Sequence, residues 1–579
     1  MSPLRALLVT LSLLVSPFTT AAEADLIFHG AKVVTVDPAF SIQEAIAISD
    51  GRILAVGSNA DVLRHRGPRT EVIDLQGRMV IPGLMDTHTH PTGASMHEWE
   101  HPIPVMETIV DVLAYIKSRT EVVPVGNWIG VSQVFITRLR EQRYPTRAEL
   151  DSVAPQHPVI FSTGPDASVN SLALKLNHID RDFQIPPGVA GKIERDKNGD
   201  PTGILRTKGN YFKAGPSGRR RPSPAQREER LLALFRDYNS VGLTSITDRS
   251  TSEGSIEQYQ KLREKGALTV RVSCSRRMGL NAPAERVREA MAKVGKHPLH
   301  TERDEWLWII GTKSFLDGGM LTGSAYMRKP WGVSKIYSID DPEYRGVRFI
   351  PHDKLLVGVR AAVENGLQFT AHSVGDGAVH ALLDVYEQLT REGLPVRETR
   401  PSITHSNFMS KEAVEQAARL GVVLDIQPAW LYLDAHTLEK QFGYDRLRYF
   451  QPLQSIFAAG GVVGGGSDHM QKIGSLRSVN PYNPFLGMQT AITRRAKYYQ
   501  GQLHPEEALT REQALRFYTI NNAKLTFAED RTGSIEPGKL ADLAVLDTDL
   551  LTCPVDKIVD TKVLRTYVGG KLVFQRAAN

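Results

Sequence analysis

The sequence predicts an α/β fold: a (β/α)8 TIM-like barrel, a small β-sandwich domain formed by both termini, and a long insertion after barrel strand 1. In the middle of the chain, eight short apolar segments rich in β-formers alternate with helical patterns, which is typical of a parallel sheet. At both ends, short strand-like segments with turn signals recur. Because short strands need partners, we expect the two ends to build one β-domain together.

The eight barrel strands are predicted from apolar runs bounded by turn residues. They span residues 81–88, 243–248, 269–274, 309–315, 367–372, 402–405, 422–427 and 461–468. Helical periodicity occupies intervals between them, at residues 228–239, 284–294, 353–365 and 411–420. Several of these helical segments stop at a glycine, the residue that most readily ends a helix.

The predicted domains follow from this order of elements. At 579 residues the chain is too long for one ordinary domain but fits a large barrel with a smaller module. Residues 25–80 and 526–579 are predicted to form the composite β-sandwich, and residues 81–525 the barrel. Residues 91–225, approximately, are the insertion. Loops after barrel strands overhang the active mouth, so the insertion is a candidate lid or substrate-selecting wall.

The first 24 residues are predicted to be a signal peptide. Arg5 precedes the apolar run 6–15, and small residues at 20–24 offer cleavage after Ala22 or Ala24. The run is too short for a stable membrane span, so we expect a periplasmic or secreted protein. A buried N-terminal helix is the alternative interpretation.

Composition is that of a globular protein, with 41% hydrophobic and 23% charged residues. The net charge of +6 is spread over both signs, which favours a solvated surface over nucleic-acid binding. Only Cys274 and Cys553 are present, and neither has the spacing of a metal ligand. A disulfide scaffold is therefore excluded, and both cysteines are expected to pack as small hydrophobes.

A set of polar residues falls at or near the carboxyl ends of the predicted strands, where barrel enzymes place their chemistry. His88 and His90 end the first strand at alternate positions, so their imidazoles face the same side. The other members follow on later strands: Lys313, His372, His405 and Asp468. Imidazoles and a carboxylate are the ligands that a divalent, zinc-like ion requires.

Lys313 needs a separate explanation, because an ammonium group has no lone pair and is repelled by a dication. Reaction with carbon dioxide would convert it to an anionic carbamate (carboxylysine), whose two oxygens are able to bridge two metal ions. The alternative is an ordinary lysine paired with Asp317 or another acid.

The ordered set of motifs resembles the amidohydrolase superfamily, and within it amidohydrolase family 3, the branch with N-substituted formamide deformylases and YtcJ-like metal-dependent hydrolases. The motifs that carry the resemblance are Pro82-Gly83 to His90, Gly203-Ile204-Leu205, Lys313 with Asp317-Gly318-Gly319, Ala371-His372, Thr404-His405, Gly466-Ser467-Asp468 and Gly538 to Leu543. The resemblance implies a distorted barrel with a terminal β-sandwich. It also implies one or two divalent metal ions, with zinc as the expected metal, held by His88, His90, Lys313, His372, His405 and Asp468.

The sequence also departs from this family in two places. Family members often follow the aspartate after strand eight with Ala-Pro, whereas His469-Met470 follows here. A histidine that is common in the inserted region is absent near residues 164–171. Both positions would face the substrate.

The predicted chemistry is hydrolysis of an amide or another non-peptide C–N bond, of the N-acyl or N-formyl amine type. A metal ion lowers the pKa of bound water from about 15.7 towards 7. Asp468 is suited to accept the proton of that water and pass it to the leaving nitrogen, and the alternative is that it serves only as a ligand. The other candidate functions are hydrolysis of cyclic amides or lactones, deamination, or a secreted binding or regulatory role without catalysis.

Four residues are predicted to contact the substrate: Trp430, Tyr326, His469 and Arg206. Arg206, or Arg249 as a second choice, would meet a substrate carboxylate. For each of these residues, ordinary packing is the competing interpretation. The predicted partner is a small molecule, and a homodimer is compatible with the sequence.

Overall fold

The computed structural model describes residues 22–577, except residues 133, 165, 188, 190, 218 and 219 and the side chain of Asn210. The predicted signal peptide comprises residues 1–24. Residues 1–21 of it lie outside this described part. Within it, no helix combines the length and the apolar character needed to cross a bilayer.

Eight parallel strands form the central sheet, and we label them β1 to β8. They are β1 (Leu84–Thr89), β2 (Leu243–Thr251), β3 (Arg271–Arg277), β4 (Leu307–Phe315), β5 (Gln368–Ser373), β6 (Ser402–His405), β7 (Val423–Ile426) and β8 (Val462–Gly465). Each strand pairs in parallel with the next along the chain. Two backbone hydrogen bonds join the first and last edges, from Asp468 N to His88 O (2.8 Å) and from His90 N to His469 O (2.8 Å). The predicted TIM-like barrel is confirmed.

Helices cover the outside of this sheet and supply most of its main hydrophobic core. The larger ones are Pro224–Ser240, Glu253–Glu264, Ala284–Gly295, His352–Glu364, Asp376–Arg391, Lys411–Leu420, Pro428–Phe442, Pro484–Thr493 and Arg511–Tyr518. Their ends follow local sequence signals. Ser223 caps the first of them in a capping box before Pro224, and Gly421 ends another in the left-handed conformation at φ 71°.

The first barrel strand begins three residues later than the sequence predicts. Ile81 belongs to the strand Met79–Pro82, which lies in a different sheet, and β1 starts at Leu84. Gly83 lies between these strands, where a Cβ atom would approach Thr244 Oγ1 to 2.1 Å. The chain can pass so close to β2 only because this residue has no side chain.

Strands from both ends of the chain share one sheet. Six strands form it, in the order Lys571–Gln575, Val563–Val568, Leu543–Leu546, Met79–Pro82, Lys32–Val34 and Ile42–Gln43. A second sheet contains Arg52–Gly57, Ala45–Ser49, Leu26–His29 and Glu71–Asp74. The rings of Phe28 and Tyr567 meet edge to face at 5.0 Å, one from each sheet. That these sheets form a separate sandwich domain stays a prediction.

The chain between β1 and β2 contains a five-stranded sheet of its own. Its strands, in order, are Lys192–Arg195, Pro201–Arg206, Asp166–Val169, Val159–Thr163 and Ile129–Val131. Its helices are Pro91–Ala94, Ile109–Thr120, Arg147–Val153 and Ser171–Leu176. Two apolar clusters pack inside this segment, so it has its own core. We call residues 91–223 the insertion.

The buried ion pair between Arg271 and Asp542 should make a large contribution to stability, because it ties β3 to the chain just before a strand of the terminal sheet. Arg271 donates from Nε to Asp542 Oδ2 (2.7 Å) and from Nη2 to Oδ1 (2.9 Å). Replacing Arg271 by Ala leaves a buried carboxylate unpaired, which we expect to lower the free energy of unfolding by about 3–5 kcal/mol in urea denaturation. Arg181→Ala, which removes an exposed pair with Asp200, should leave the midpoint nearly unchanged, and equal effects would contradict the prediction.

Candidate active site

His88, His90 and Asp468 converge at the carboxyl end of the barrel. The Nε2 atoms of His88 and His90 lie 3.3 and 3.1 Å from the same oxygen, Asp468 Oδ1. One ligand atom from each residue falls within 4.8 Å of the others. His88 lies in β1 and His90 is the first residue after it, so the two histidines keep the alternate spacing that puts side chains on the same side of a sheet.

Lone pairs at this centre fit a divalent cation. His88 Nδ1 lies 3.2 Å from Asp425 Oδ2, within ion-pair distance, and its Nε2 faces Asp468 Oδ1 at 3.3 Å. Burial and the nearby Lys313 charge hold the pKa of His88 well below its usual range, so the ring is neutral. A neutral Nε2 and a carboxylate oxygen are both acceptors, and acceptors brought together in this way suit a shared cation.

His372 and His405 extend the cluster from the neighbouring strands. Their rings meet edge to face at 4.5 Å, and the His405 ring also stacks on His88 at 4.8 Å. Burial lowers the pKa of His372 to about 4 and that of His405 well below its usual range. Both rings therefore offer lone pairs at neutral pH. They adjoin the His88, His90 and Asp468 group through ring contacts.

Lys313 points from β4 into this cluster and is buried. Its Nζ lies 2.9 Å from His88 Nε2, where an amine donates to the imidazole lone pair. Burial lowers the pKa of Lys313 to about 8, and the acids Asp468 and Asp425 oppose that effect. Asp317, considered from the sequence as its partner, instead accepts amide N–H bonds from Tyr326, Val374 and Gly375 at 2.9–3.0 Å.

Asp425 and Gln427, which sequence reasoning missed, orient two of the histidines. Gln427 Oε1 accepts a hydrogen bond from His405 Nδ1 (2.7 Å), and Gln427 Nε2 donates to Asp425 Oδ1 (3.1 Å). Asp425 also lies 3.3 Å from Arg249 Nε. One feature of the sequence could have revealed Asp425: it is a carboxylate in the otherwise apolar strand Val423–Ile426. A charge buried inside a barrel must be paired with another polar group.

Asp468 lies beyond the end of its strand. The sequence predicts that strand eight runs to Asp468, but β8 stops at Gly465. A Cβ atom at Gly465, where φ is 151°, would come within 1.8 Å of Ile426 O, so the backbone turns at a position only glycine tolerates. Asp468 itself has a φ of 56°, in the left-handed region that aspartate adopts more readily than most residues.

A family model described as the amidohydrolase family matches residues 71–574. The chain belongs to this family. It is 29% identical over 571 residues to N-substituted formamide deformylase of Arthrobacter pascens, with 96% of this chain and 99% of that protein covered. It is 26% identical over 561 residues to Bacillus subtilis YtcJ, with 95% and 99% covered.

The fold of this amidohydrolase is also similar to a solved structure, an uncharacterized metal-dependent hydrolase from Pyrococcus horikoshii. The TM-score is 0.66 at 20% identity, and the match covers 92% of this chain and 99% of that one. The family resemblance drawn from the motifs is confirmed. Family membership indicates a hydrolase acting on carbon–nitrogen bonds, and the donor set described above fits the divalent metal that such hydrolases use.

Of the residues predicted to bind substrate, Trp430 lies beside the amidohydrolase centre. Its ring stacks on His405 at 4.9 Å with an interplanar angle of 15°. Tyr326 is one step further away: its backbone N donates to Asp317, whose Oδ1 lies 3.8 Å from His372 Nε2.

His469 and Arg206 have their polar atoms engaged elsewhere. The buried His469 ring contacts Tyr238 OH (2.7 Å) and backbone carbonyls of the following turn. Arg206 lies on an insertion strand, where it pairs with Asp166 (3.0 Å) and Glu194 (2.8 Å). Arg249, the second choice for a substrate carboxylate, is fully buried inside the barrel and donates to Thr87 O and Ser275 Oγ.

Replacing Asp425 by Asn should weaken metal binding, because the neutral amide removes the negative charge that lies 3.3 Å from Arg249 Nε and 3.2 Å from His88 Nδ1. We expect the apparent zinc affinity of the purified protein to fall about 10–100-fold in competition with a chromogenic chelator. Asp542→Asn is the matched control, since Asp542 is also buried and paired with an arginine but lies at the terminal sheet. An unchanged affinity for Asp425→Asn would show that His88 needs no such partner.

Proposed function

We propose that this amidohydrolase cleaves a small-molecule amide of the N-acyl or N-formyl amine type. The observation that carries the proposal is the convergence of His88 and His90 on the carboxylate of Asp468 at the carboxyl end of the barrel. Such a site has both a place for a divalent ion and an acid–base group beside it. The match over nearly the full length of an N-substituted formamide deformylase favours a formamide within this class.

The residues of the chain divide the work of this reaction. The histidines and Asp468 would hold a divalent ion, which would supply Lewis acidity and lower the pKa of nearby water. Asp468 turns Oδ1 towards the imidazoles, and its other oxygen, Oδ2, is our candidate to take a proton from the attacking water and deliver it to the leaving nitrogen. His372 and His405, whose pKa values burial lowers, add neutral imidazoles beside the centre rather than positive charge.

Substrate approach is favoured from the side of His90 and His372. Their side chains are 29% and 17% exposed, whereas that of His88 is 0% exposed. Trp430 forms an apolar wall beside His405, and its indole Nε1 is buried without a hydrogen-bond partner among the described residues. An unpaired buried donor costs free energy, so we assign Trp430 Nε1 to a polar atom of the substrate, such as the amide oxygen.

Asp468→Asn tests the proposed proton transfer. The amide cannot accept a proton, so we expect kcat for an N-substituted formamide to fall by about 10²–10⁴-fold. The measurement is product amine release by the zinc-loaded protein, across a panel of formamides, acetamides, lactones and amino-heterocycles. Asp542→Asn should keep its kcat. Turnover of lactones or amino-heterocycles with no amide cleaved would replace this proposal by one of the alternatives, and an active Asp468→Asn variant would remove its proton-transfer role.

We also propose that Lys313 is carbamylated in the metal-loaded protein. Its pKa of about 8 leaves part of the amine neutral near pH 7.5, the form that reacts with carbon dioxide. Carbamylation would turn the donor 2.9 Å from His88 Nε2 into an anionic acceptor. We expect bound metal per chain to rise when apo protein is reconstituted with zinc and bicarbonate, and Lys313→Arg to show no such rise. Equal metal content with and without bicarbonate would contradict carbamylation.

A further inference from the structure

An arginine of the insertion reaches the barrel beside the centre. Arg138 donates from Nε and Nη2 to the two oxygens of Asp434, both at 2.7 Å, and Asp434 lies on the helix Pro428–Phe442 that follows β7. The Asp434 side chain is 1% exposed and that of Arg138 is 12% exposed. Thr437 Oγ1 adds a bond to Thr137 O at 2.9 Å. The insertion is therefore anchored here by a buried, two-pronged ion pair.

The remaining nitrogen of Arg138 continues the contact towards Asp468. Its Nη1 donates to Val479 O (2.8 Å) and to Asn480 Oδ1 (3.1 Å). Because the guanidinium occupies the oxygen of this amide, the Asn480 nitrogen must face the other way. Asn480 Nδ2 donates to Asp468 O at 2.8 Å and lies 3.5 Å from Asp468 Oδ2.

Asp468 needs such support. It lies three residues past the end of β8, and it adopts a left-handed φ of 56°. Its amide donates to His88 O, while its carbonyl accepts from Asn480. These two hydrogen bonds hold the backbone amide and carbonyl of Asp468, whose carboxylate faces the imidazoles of His88 and His90.

We propose that Arg138 and Asn480 are positioning residues for Asp468, so that the insertion completes the metal centre of the barrel. This inference rests on the proposed role of Asp468 as a ligand and proton carrier. Arg138 acts on Asp468 through Asn480. A ligand held at the correct distance binds a cation more tightly, so the expected effect appears first in metal affinity.

The experiment measures zinc affinity by chelator competition for the full chain. Arg138→Lys keeps the positive charge but loses the bidentate geometry of the guanidinium. Asn480→Leu removes the hydrogen bonds that the side-chain amide makes with Arg138 and Asp468, with little change in side-chain size. We expect each to weaken zinc binding about 10–100-fold. Arg271→Lys is the matched control, because it breaks another buried bidentate pair with an aspartate, Asp542, which lies next to the terminal sheet, and its affinity should not change.

The same substitutions are then made in an Asp468→Ala background, which lacks the carboxylate that Arg138 and Asn480 are proposed to position. We expect Arg138→Lys and Asn480→Leu to cause no further loss of affinity there. Wild-type affinity in both single variants, or equal losses with and without Asp468, would overturn the proposal. If thermal unfolding shows that Arg138→Lys does not fold, the zinc affinity of Asn480→Leu alone tests the proposal.

The readout separates this inference from the proposed function. Zinc affinity requires no substrate, so the positioning role is tested even if no amide is hydrolysed. Where a substrate is found, positioning predicts a fall in kcat with KM nearly unchanged, because substrate contacts are not altered. Amide hydrolysis by the wild type together with full zinc affinity in both variants would retain the proposed function and reject the positioning role.

Discussion

The hydrogen bond from the Asp468 amide to the His88 carbonyl joins the two edges of the barrel and also brings the candidate ligands together. A parallel barrel closes only if its last strand returns to its first. In this chain the residues at that junction are the ones whose side chains converge, since His88, His90 and Asp468 all contribute to it. Closing the barrel therefore builds the centre, and a protein that failed to close would have no site.

The charges around the centre explain why it suits a dication. The buried acids Asp86, Asp248, Asp425 and Asp468 and the buried cations Lys313 and Arg249 lie close enough to interact electrostatically. Burial raises the pKa of Asp86 to about 7 and those of Asp248 and Asp425 to about 6. Carboxyls crowded in a dry interior tend to hold protons, and a divalent cation among them would favour their ionised forms. The imidazoles, kept neutral by burial, add lone pairs without adding charge.

The sequence predicted the barrel well because its signals are local. Each strand is a short apolar run, and the ligand residues stand at strand ends, where the parallel order alone implies that they meet. The contacts that it did not predict join residues far apart in the chain, such as His88 with Asp425 and Arg138 with Asn480. No periodicity marks such pairs. The late start of β1 and the early end of β8 depend on close backbone approaches at Gly83 and Gly465, which only coordinates reveal.

The same contacts bear on whether the insertion is a lid or a wall. A lid that swings away from the barrel would have to separate Arg138 from Asp434 and break both hydrogen bonds between them. A second attachment lies on the other side, where Arg206 donates to Ser338 in the segment after β4. Opening would also withdraw Asn480's partner and loosen Asp468 at the moment when substrate arrives. These contacts favour the wall over the lid, the two roles that the sequence leaves open for the insertion, and the substrate path proposed above runs beside it, near the partly exposed His90.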